Sequence, residues 1–223
     1  MSLTLLTLSG VALAGPADWA TLLSDSGWSE LATPSTSATG TIDLRLKEIG
    51  GTPCLRGDAT VDAPVDKLYD AITDIPAAKD FSSEKLLAAR FLNDASNSKR
   101  HYYQHLDVPN WTMASDRFWV LEGFDASSGP KKIYRWDRFD WRTAYPDLAT
   151  YIDSEHSSAI EPQTNWGAWE FWPGDGGRTK VRYYICSDAG GSLPDWVSRA
   201  AATKTLPNTM ADVINEAKRR AAR

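Results

Sequence analysis

The feature that most constrains the fold is a long amphipathic helix predicted at the end of the chain. From about Pro194 to Ala221, apolar residues recur three, four or six positions apart, which is typical of one face of an α-helix. Such a helix measures about 40 Å at 1.5 Å per residue. Pro207 should kink it, because proline donates no backbone hydrogen bond. An apolar face of this length needs a broad apolar surface beneath it, and a sheet is the obvious candidate.

Two strand-like runs precede this helix. Residues 165–172 are rich in aromatic side chains and end at the turn-forming sequence Pro-Gly-Asp-Gly-Gly. In residues 179–186, Val181, Tyr183 and Ile185 alternate with more polar neighbours, which is the period-two pattern of a half-buried strand. The two runs predict a hairpin with one apolar face, and this face could support the helix.

The same part of the chain resembles a known family. The residues that carry the resemblance are Gly-Ala-Trp-Glu-Phe at 167–171, Thr179 with Val181 and Tyr183, Asp-Ala-Gly-Gly-Ser-Leu-Pro-Asp-Trp at 188–196, and Leu-Pro at 206–207. They are similar to the C-terminal half of START lipid-transfer domains. The resemblance implies an α+β helix-grip fold, in which a curved antiparallel sheet wraps around a long C-terminal α-helix. It also implies an internal hydrophobic cavity that holds one lipid.

The rest of the chain continues the pattern of strands and short helices. Alternation predicts strands at residues 41–49, 55–61, 99–108, 116–124 and 131–141. Helices are predicted from Ala17 to a stop near Gly27, from a cap at Asp62 through Ile72, and over residues 79–90. Residues 143–153 read as a loop or a short helix. No internal repeat interrupts these elements, so one domain accounts for them.

Composition narrows the classes of partner. The net charge of −5 and the isoelectric point of about 5.2 argue against nucleic acid, since phosphate binding needs a basic surface. No run reaches the roughly 18 apolar residues that span a bilayer. Any membrane contact should therefore be peripheral and transient. We also expect a monomer.

Residues 1–14 predict a signal peptide. The apolar stretch from Leu3 to Ala14 ends in Ala-Leu-Ala, a pattern typical of cleavage sites, although no Lys or Arg precedes it. The START-like lipid-binding domain would then span residues 15–223 and begin near Gly15. A genuine leader implies an exported, periplasmic or secreted protein; without one, the protein would be cytoplasmic.

Two cysteines, Cys54 and Cys186, permit at most one internal disulfide. Export would allow this bond chemically, but the sequence does not place the two sulfur atoms together. The expectation is that the cysteines are free or buried rather than bridged, with no catalytic role.

The sequence offers no catalytic or metal-binding signature. A nucleophile elbow and a phosphate loop are both missing. His101 and His105 share a face, but no third residue has metal-ligand spacing, so we predict neither a metal nor a cofactor. Residues 115–120 resemble the family's Ser-x-Arg-Asp strand, with Phe118 in place of the acid, so Arg117 is predicted to be structural.

The function that these observations favour is the binding and transfer of one lipid or sterol-like molecule. The last helix would open to admit it into an apolar pocket. Strand parity and helix spacing select the lining residues Tyr103, His105, Trp169, Tyr183, Trp196, Ala200 and Met210.

Two alternatives stay open. One is an enzyme similar to the polyketide aromatases and cyclases, in which His101, His105, Arg135 and Asp137 would act inside the cavity. The other is a sensor or scaffold module that does not transport its ligand.

Overall fold

The computed structural model describes residues 18–31, 35–37, 40–108, 114–188 and 195–223. The strands are β1 (Ser29–Glu30), β2 (Ser35–Ser37), β3 (Gly40–Ile49), β4 (Thr52–Val61), β5 (Leu86–Phe91), β6 (Lys99–Leu106), β7 (Arg117–Asp125), β8 (Lys132–Arg138), β9 (Asn165–Pro173) and β10 (Thr179–Ser187). The helices are α1 (Trp19–Leu23), α2 (Val65–Thr73), α3 (Ala78–Phe81), α4 (Trp141–Ala144), α5 (Pro146–Glu155) and α6 (Asp195–Ala221), with 3-10 turns at Ile75–Ala77 and Asp175–Gly177.

The described strands form one antiparallel sheet. Its strand order is β1-β3-β4-β10-β9-β8-β7-β6-β5. The short strand β2 is outside this order and pairs with β3. The predicted hairpin is confirmed as β9 and β10, in which Trp169 lies opposite Tyr183. β10 also pairs with β4, where Tyr183 lies opposite Gly57. The last hairpin of the chain is therefore the centre of the sheet.

α6 covers one face of the sheet, which we call the inner face. The helix buries Leu206, Met210, Val213, Ile214 and Ala217, all of which belong to one core with inner-face residues such as Ile42, Leu44, Val61, Phe171 and Val181. The helix packs tightly over Gly57, where a Cβ atom would lie 2.3 Å from Met210 Sδ and 2.7 Å from Leu206 Cδ2. A larger residue at this position would force the ends of the Met210 and Leu206 side chains to move.

Polar contacts hold the C-terminal part of α6 in place. Arg220 forms an ion pair of 3.0 Å with Asp74 and donates a hydrogen bond of 3.1 Å to the Asp70 carbonyl oxygen of α2. Asp212 accepts hydrogen bonds from the Ser83 backbone nitrogen at 2.7 Å and from its hydroxyl at 2.8 Å. This part of the helix is therefore tied to the segment that contains α2 and α3. None of the helices in the described ranges is long and apolar enough to cross a bilayer.

Two further groups of helices cover the opposite, outer face. α1 packs over the middle of the sheet, in a core made by Leu22, Cys54, Trp166, Ala168, Tyr184 and Cys186. α4 and α5 pack over β6 and β7, in a core made by Tyr103, Phe118, Val120, Trp141, Leu148 and Ile152. The sheet is therefore a middle layer with a distinct core on each side.

Two local predictions are wrong. Residues 79–90 are not one helix, because a single turn, α3, is followed by the edge strand β5, which pairs with β6. Hydrogen bonding to β6 is a tertiary interaction that outweighs a weak local preference for helix. Asp62 does not cap α2; Pro64 occupies the N-cap position, and no side chain forms a capping hydrogen bond.

Cys54 and Cys186 form a disulfide bond, contrary to the sequence-based expectation. The two residues lie directly opposite each other on β4 and β10, with Cα atoms 4.1 Å apart, and both are fully buried beneath α1. The register between β4 and β10 brings the sulfur atoms together across a sequence separation of 132 residues. Because local sequence patterns do not specify the register of such distant strands, the bond was missed.

Candidate ligand-binding site

Aromatic side chains line the centre of the inner face. Trp169 stacks on Tyr183 with ring centroids 4.1 Å apart, and Trp136 lies 5.9 Å from Tyr183. The strand registers place Tyr134, Trp169 and Tyr183 in one row across β8, β9 and β10. Each strand alternates, so this row faces α6 while the intervening residues face outward. The result is a continuous aromatic surface beneath the helix.

Part of this surface remains accessible. Leu46, Ala59, Trp119, Tyr183 and Ile185 keep accessible surface, although they pack against the inner core. Burial nevertheless raises the pKa of Tyr183 well above its usual range. Tyr183 is therefore partly accessible in an environment that disfavours the charged form of its phenol.

Tyrosine hydroxyls are the polar groups of this region. Burial raises the pKa of Tyr102, Tyr134 and Tyr183, and the neighbouring Tyr134 and Tyr183 phenols raise that of Tyr102 further. Within the ranges that the structure describes, none of these three hydroxyls has a hydrogen-bond partner. These groups are therefore available to the polar atoms of a bound molecule.

Two other polar side chains of the inner face, Gln104 and Trp119, are hydrogen-bonded to each other. Trp119 Nε1 donates a hydrogen bond of 2.8 Å to Gln104 Oε1 across the β6–β7 pairing. At the end of β7, Arg117 Nη1 donates to the Ser115 carbonyl oxygen at 2.5 Å, and burial lowers the pKa of Arg117. The contact with the main chain agrees with a structural role for this arginine.

Three of the predicted lining residues come together on the inner face. Trp169 and Tyr183 form the aromatic stack, and Met210 of α6 lies over Gly57, the partner of Tyr183 on β4. Trp196 and Ala200 belong to the first turns of α6, whose side chains lie outside the described residues.

Tyr103 and His105 lie on the outer face, so the prediction that they line a space beneath α6 is wrong. The Tyr103 hydroxyl and His105 Nδ1 are 3.0 Å apart, within the core formed with α4 and α5. The His105 ring also packs 4.5 Å from that of His156. β6 carries a tyrosine on each face, Tyr102 inward and Tyr103 outward, so alternation alone did not show which set faces inward.

The residues considered for the enzyme alternative also lie on the outer face: His101, His105, Arg135 and Asp137. His101 Nδ1 lies 2.8 Å from the Tyr145 hydroxyl, and Nε2 lies 3.1 Å from Glu122. The Arg135 guanidinium lies 5.2 Å from the Trp19 ring. The sheet separates these groups from any molecule beneath α6. Among the residues described, no cluster of His, Cys, Asp or Glu could hold a metal ion.

Several inner-face residues were missed from the sequence. Tyr102, Tyr134 and Trp136 all point toward the core beneath α6. The available signal was the alternation in β8, where Tyr134 and Trp136 are separated by the charged Arg135. Aromatic residues that alternate with charged ones indicate the buried face of a strand.

Comparisons with known proteins agree with this architecture. No family model matches the chain, and no curated protein is similar to it in sequence. The human StAR-related lipid transfer protein 5 has a similar structure, with a TM-score of 0.73, 10% identity and coverage of 90% of both chains. The STAR-related lipid transfer protein from Xanthomonas axonopodis gives a TM-score of 0.67 and 19% identity, covering 86% of this chain and 99% of that fragment.

An enzyme also shares the fold. The Zhui aromatase/cyclase from Streptomyces sp. R1128 gives a TM-score of 0.53 and 17% identity, covering 75% of this chain and 94% of the enzyme. The chain thus has the helix-grip α+β fold that these proteins share, and the predicted fold is confirmed. At such low identities the likeness shows the fold alone, so the function needs its own argument.

Proposed function

We propose that this protein binds one hydrophobic molecule, a lipid or sterol, between the inner face and α6 and carries it through water. The observation that carries the proposal is the accessible surface of Tyr183, because this side chain packs against the aromatic inner core and is nevertheless only partly covered. The stack of Trp169 on Tyr183 offers a large apolar area to a ligand. Burial of an acyl chain or ring system there contributes about 0.8 kcal/mol per CH₂ group.

The fold supports the proposal without identifying the ligand. Two of the similar structures, from human and from Xanthomonas axonopodis, are lipid transfer proteins by name. The aromatase/cyclase of the same fold supports the alternative of an enzyme. We favour binding without catalysis, because the ionisable residues considered for catalysis lie on the outer face, separated from the proposed site by the sheet.

Ligand entry requires part of α6 to move. One side of the helix after Leu206 is buried, and this part is held by the contacts of Asp212 with Ser83 and of Arg220 with Asp74. We therefore place the opening at the beginning of α6, where movement would break none of these contacts. Transient contact with a membrane surface and a monomeric state belong to the same proposal.

The test compares two tryptophan substitutions on β10. Ile185→Trp adds an indole to the accessible part of the inner face, whereas Lys180→Trp adds it at an exposed position of the same strand. Delipidated protein would be incubated with phosphatidylcholine vesicles containing cholesterol, re-isolated and examined by native mass spectrometry. We expect one bound molecule per chain in the natural protein and in Lys180→Trp, and a large loss in Ile185→Trp. If all three proteins stay bare, the carrier proposal is wrong.

We also propose that the protein works outside the cytoplasm. The disulfide between Cys54 and Cys186 supports this location, because structural disulfides persist mainly in oxidising compartments. The predicted leader, residues 1–14, lies outside the described residues. N-terminal sequencing of exported protein should give a start near Gly15. An exported fraction that retains residues 1–10 would contradict the proposed cleavage.

A further inference from the structure

An arginine without a charged partner lies at one end of the inner face. Arg100 precedes Tyr102 by two positions on β6, so both side chains project from the same face. The Arg100 guanidinium carbon lies 3.8 Å from the centre of the Phe91 ring. Burial raises the pKa of Tyr134, and the nearby charge of Arg100 opposes this rise. The guanidinium therefore lies over an aromatic ring and near the Tyr134 hydroxyl.

This side chain has no polar partner in the described part of the chain. Arg100 forms no ion pair and no side-chain hydrogen bond there, and its Nε atom is buried. Arg56 and Arg182 on the outer face differ, because each binds both Asp25 and Asp58. A guanidinium carries five hydrogen-bond donors and matches the geometry of an oxyanion. Arg100 is thus equipped to bind an anionic group.

The position of Arg100 links it to the aromatic surface. Gly123 on β7 lies opposite Arg100 on one side and opposite Trp136 on the other. A Cβ atom at Gly123 would lie 1.9 Å from the Tyr134 hydroxyl oxygen, so the absent side chain leaves room for that hydroxyl. The cation, the hydroxyl and the aromatic rings consequently adjoin. A molecule with an anionic end and an apolar body fits this order of groups.

We propose that Arg100 and the Tyr134 hydroxyl form a subsite for the oxyanion of an amphipathic cargo. The inference rests on the proposed binding of a hydrophobic molecule and specifies its chemical class. The cargo carries a single negative charge, on a carboxylate or a phosphodiester, because one guanidinium neutralises one charge. Its apolar part lies along Trp136, Tyr183 and Trp169.

The experiment compares acidic probes with neutral probes of matched chain length. Oleic acid and oleyl alcohol test a carboxylate, and dioleoylphosphatidylglycerol and dioleoylglycerol test a phosphodiester. Dissociation constants would be measured by quenching of tryptophan fluorescence in delipidated protein. We expect the natural protein to bind at least one acidic probe about tenfold more tightly than its neutral counterpart, because charge-assisted hydrogen bonds are stronger than neutral ones.

Three variants identify the group responsible. Arg100→Gln should remove the preference for the acidic probe and leave the affinity for the neutral probe unchanged. Arg100→Lys keeps the charge and should retain part of the preference. Arg135→Gln is the matched control, because Arg135 also has a buried, unpaired Nε and contacts an aromatic ring, but lies on the outer face. This control should behave like the natural protein. Thermal unfolding would show that each variant is folded.

The outcomes separate the subsite from the proposed function. Equal binding of acidic and neutral probes by the natural protein would overturn the subsite and leave the carrier proposal standing. An equal loss in Arg100→Gln and Arg135→Gln would also overturn it. Failure of all four probes to bind would overturn both proposals. If Arg100→Gln does not fold, Arg100→Lys and Arg135→Gln decide the question. The subsite is supported if Arg100→Lys weakens the preference for the acidic probe and Arg135→Gln leaves it unchanged. It is overturned if Arg100→Lys also leaves that preference unchanged.

Discussion

Two adjacent tyrosines of β10 project from opposite faces of the sheet, and their hydroxyl groups differ in hydrogen bonding. Tyr184 faces outward, where its hydroxyl donates to Glu170 at 3.2 Å and accepts from Arg182 at 3.3 Å. Tyr183 faces inward, where its hydroxyl has no hydrogen-bond partner among the described residues. Both side chains are tyrosine, so the environment alone sets the difference.

From this difference we infer that the tyrosine hydroxyls of the inner face serve binding, whereas the paired groups beneath α1 serve stability. Beneath α1, the disulfide and the ion pairs of Arg56 and Arg182 complete their interactions within the chain. On the inner face, the hydroxyls of Tyr102, Tyr134 and Tyr183 and the side chain of Arg100 have no hydrogen-bond partner among the described residues. Unused hydrogen-bonding capacity of this kind costs stability, and such groups are common at binding sites. Four experiments test whether this division is real, and they are ordered by expected effect.

The largest effect should come from removing the outer-face disulfide. Cys54→Ala combined with Cys186→Ala should lower the free energy of unfolding by about 4 kcal/mol, because the bond closes a long loop in the unfolded chain. Urea denaturation measures the loss, and reducing the natural protein should reproduce it. Ligand binding at low temperature should persist, since the bond lies across the sheet from the proposed site. Unchanged stability would show that the bond does not hold the outer face.

The next effect concerns the packed part of the inner face. Met210→Ala should cost about 3 kcal/mol, because the fully buried side chain fills the space above Gly57 and a cavity would replace it. Leu87→Ala is the control, since Leu87 is 41% exposed, and it should change stability little. A loss in Met210→Ala no larger than in the control would mean that α6 is not anchored at this point.

The most direct comparison replaces each of the two neighbouring tyrosines of β10 with phenylalanine. Tyr184→Phe should lower the free energy of unfolding by about 1–2 kcal/mol, because Glu170 and Arg182 lose a buried partner. Tyr183→Phe should be neutral or slightly stabilising in delipidated protein, because it removes a hydroxyl that has no partner. Equal losses in both variants would contradict the distinction between the faces.

The smallest effect is a pH dependence of the outer face. Burial lowers the pKa of His105, and the nearby His156 lowers it further, while Asp116, 3.3 Å from Nε2, opposes the shift. The unfolded chain therefore binds more protons at this residue than the folded chain does as the pH falls below about 6.5. Stability should fall over this range, and His105→Gln should flatten the dependence. A steeper fall in His105→Gln would show that the assigned sign is wrong.

Local patterns were sufficient for much of the fold. The alternation of Val181, Tyr183 and Ile185 predicted the inner face of β10 correctly, and that of Ile42, Leu44 and Leu46 did the same for β3. The spacing of Leu206, Met210 and Val213 likewise predicted the buried side of α6. In each case one set of positions is clearly more apolar than the other, so the period of the side chains identifies the buried face.

Tertiary structure alone decided the remaining features. β6 has aromatic residues on both faces, so only its packing between α6 and α5 shows that Tyr102 points inward and Tyr103 and His105 point outward. Pairing with β6 makes residues 86–91 a strand, and pairing of β4 with β10 joins the two cysteines. Hydrophobic periodicity is local, so the sequence predicted most strands, the closing hairpin and the C-terminal helix, whereas the helix-grip arrangement of these elements was implied by the resemblance to START domains. The sequence could not determine long-range register or the face of an evenly aromatic strand, because those depend on contacts between distant residues.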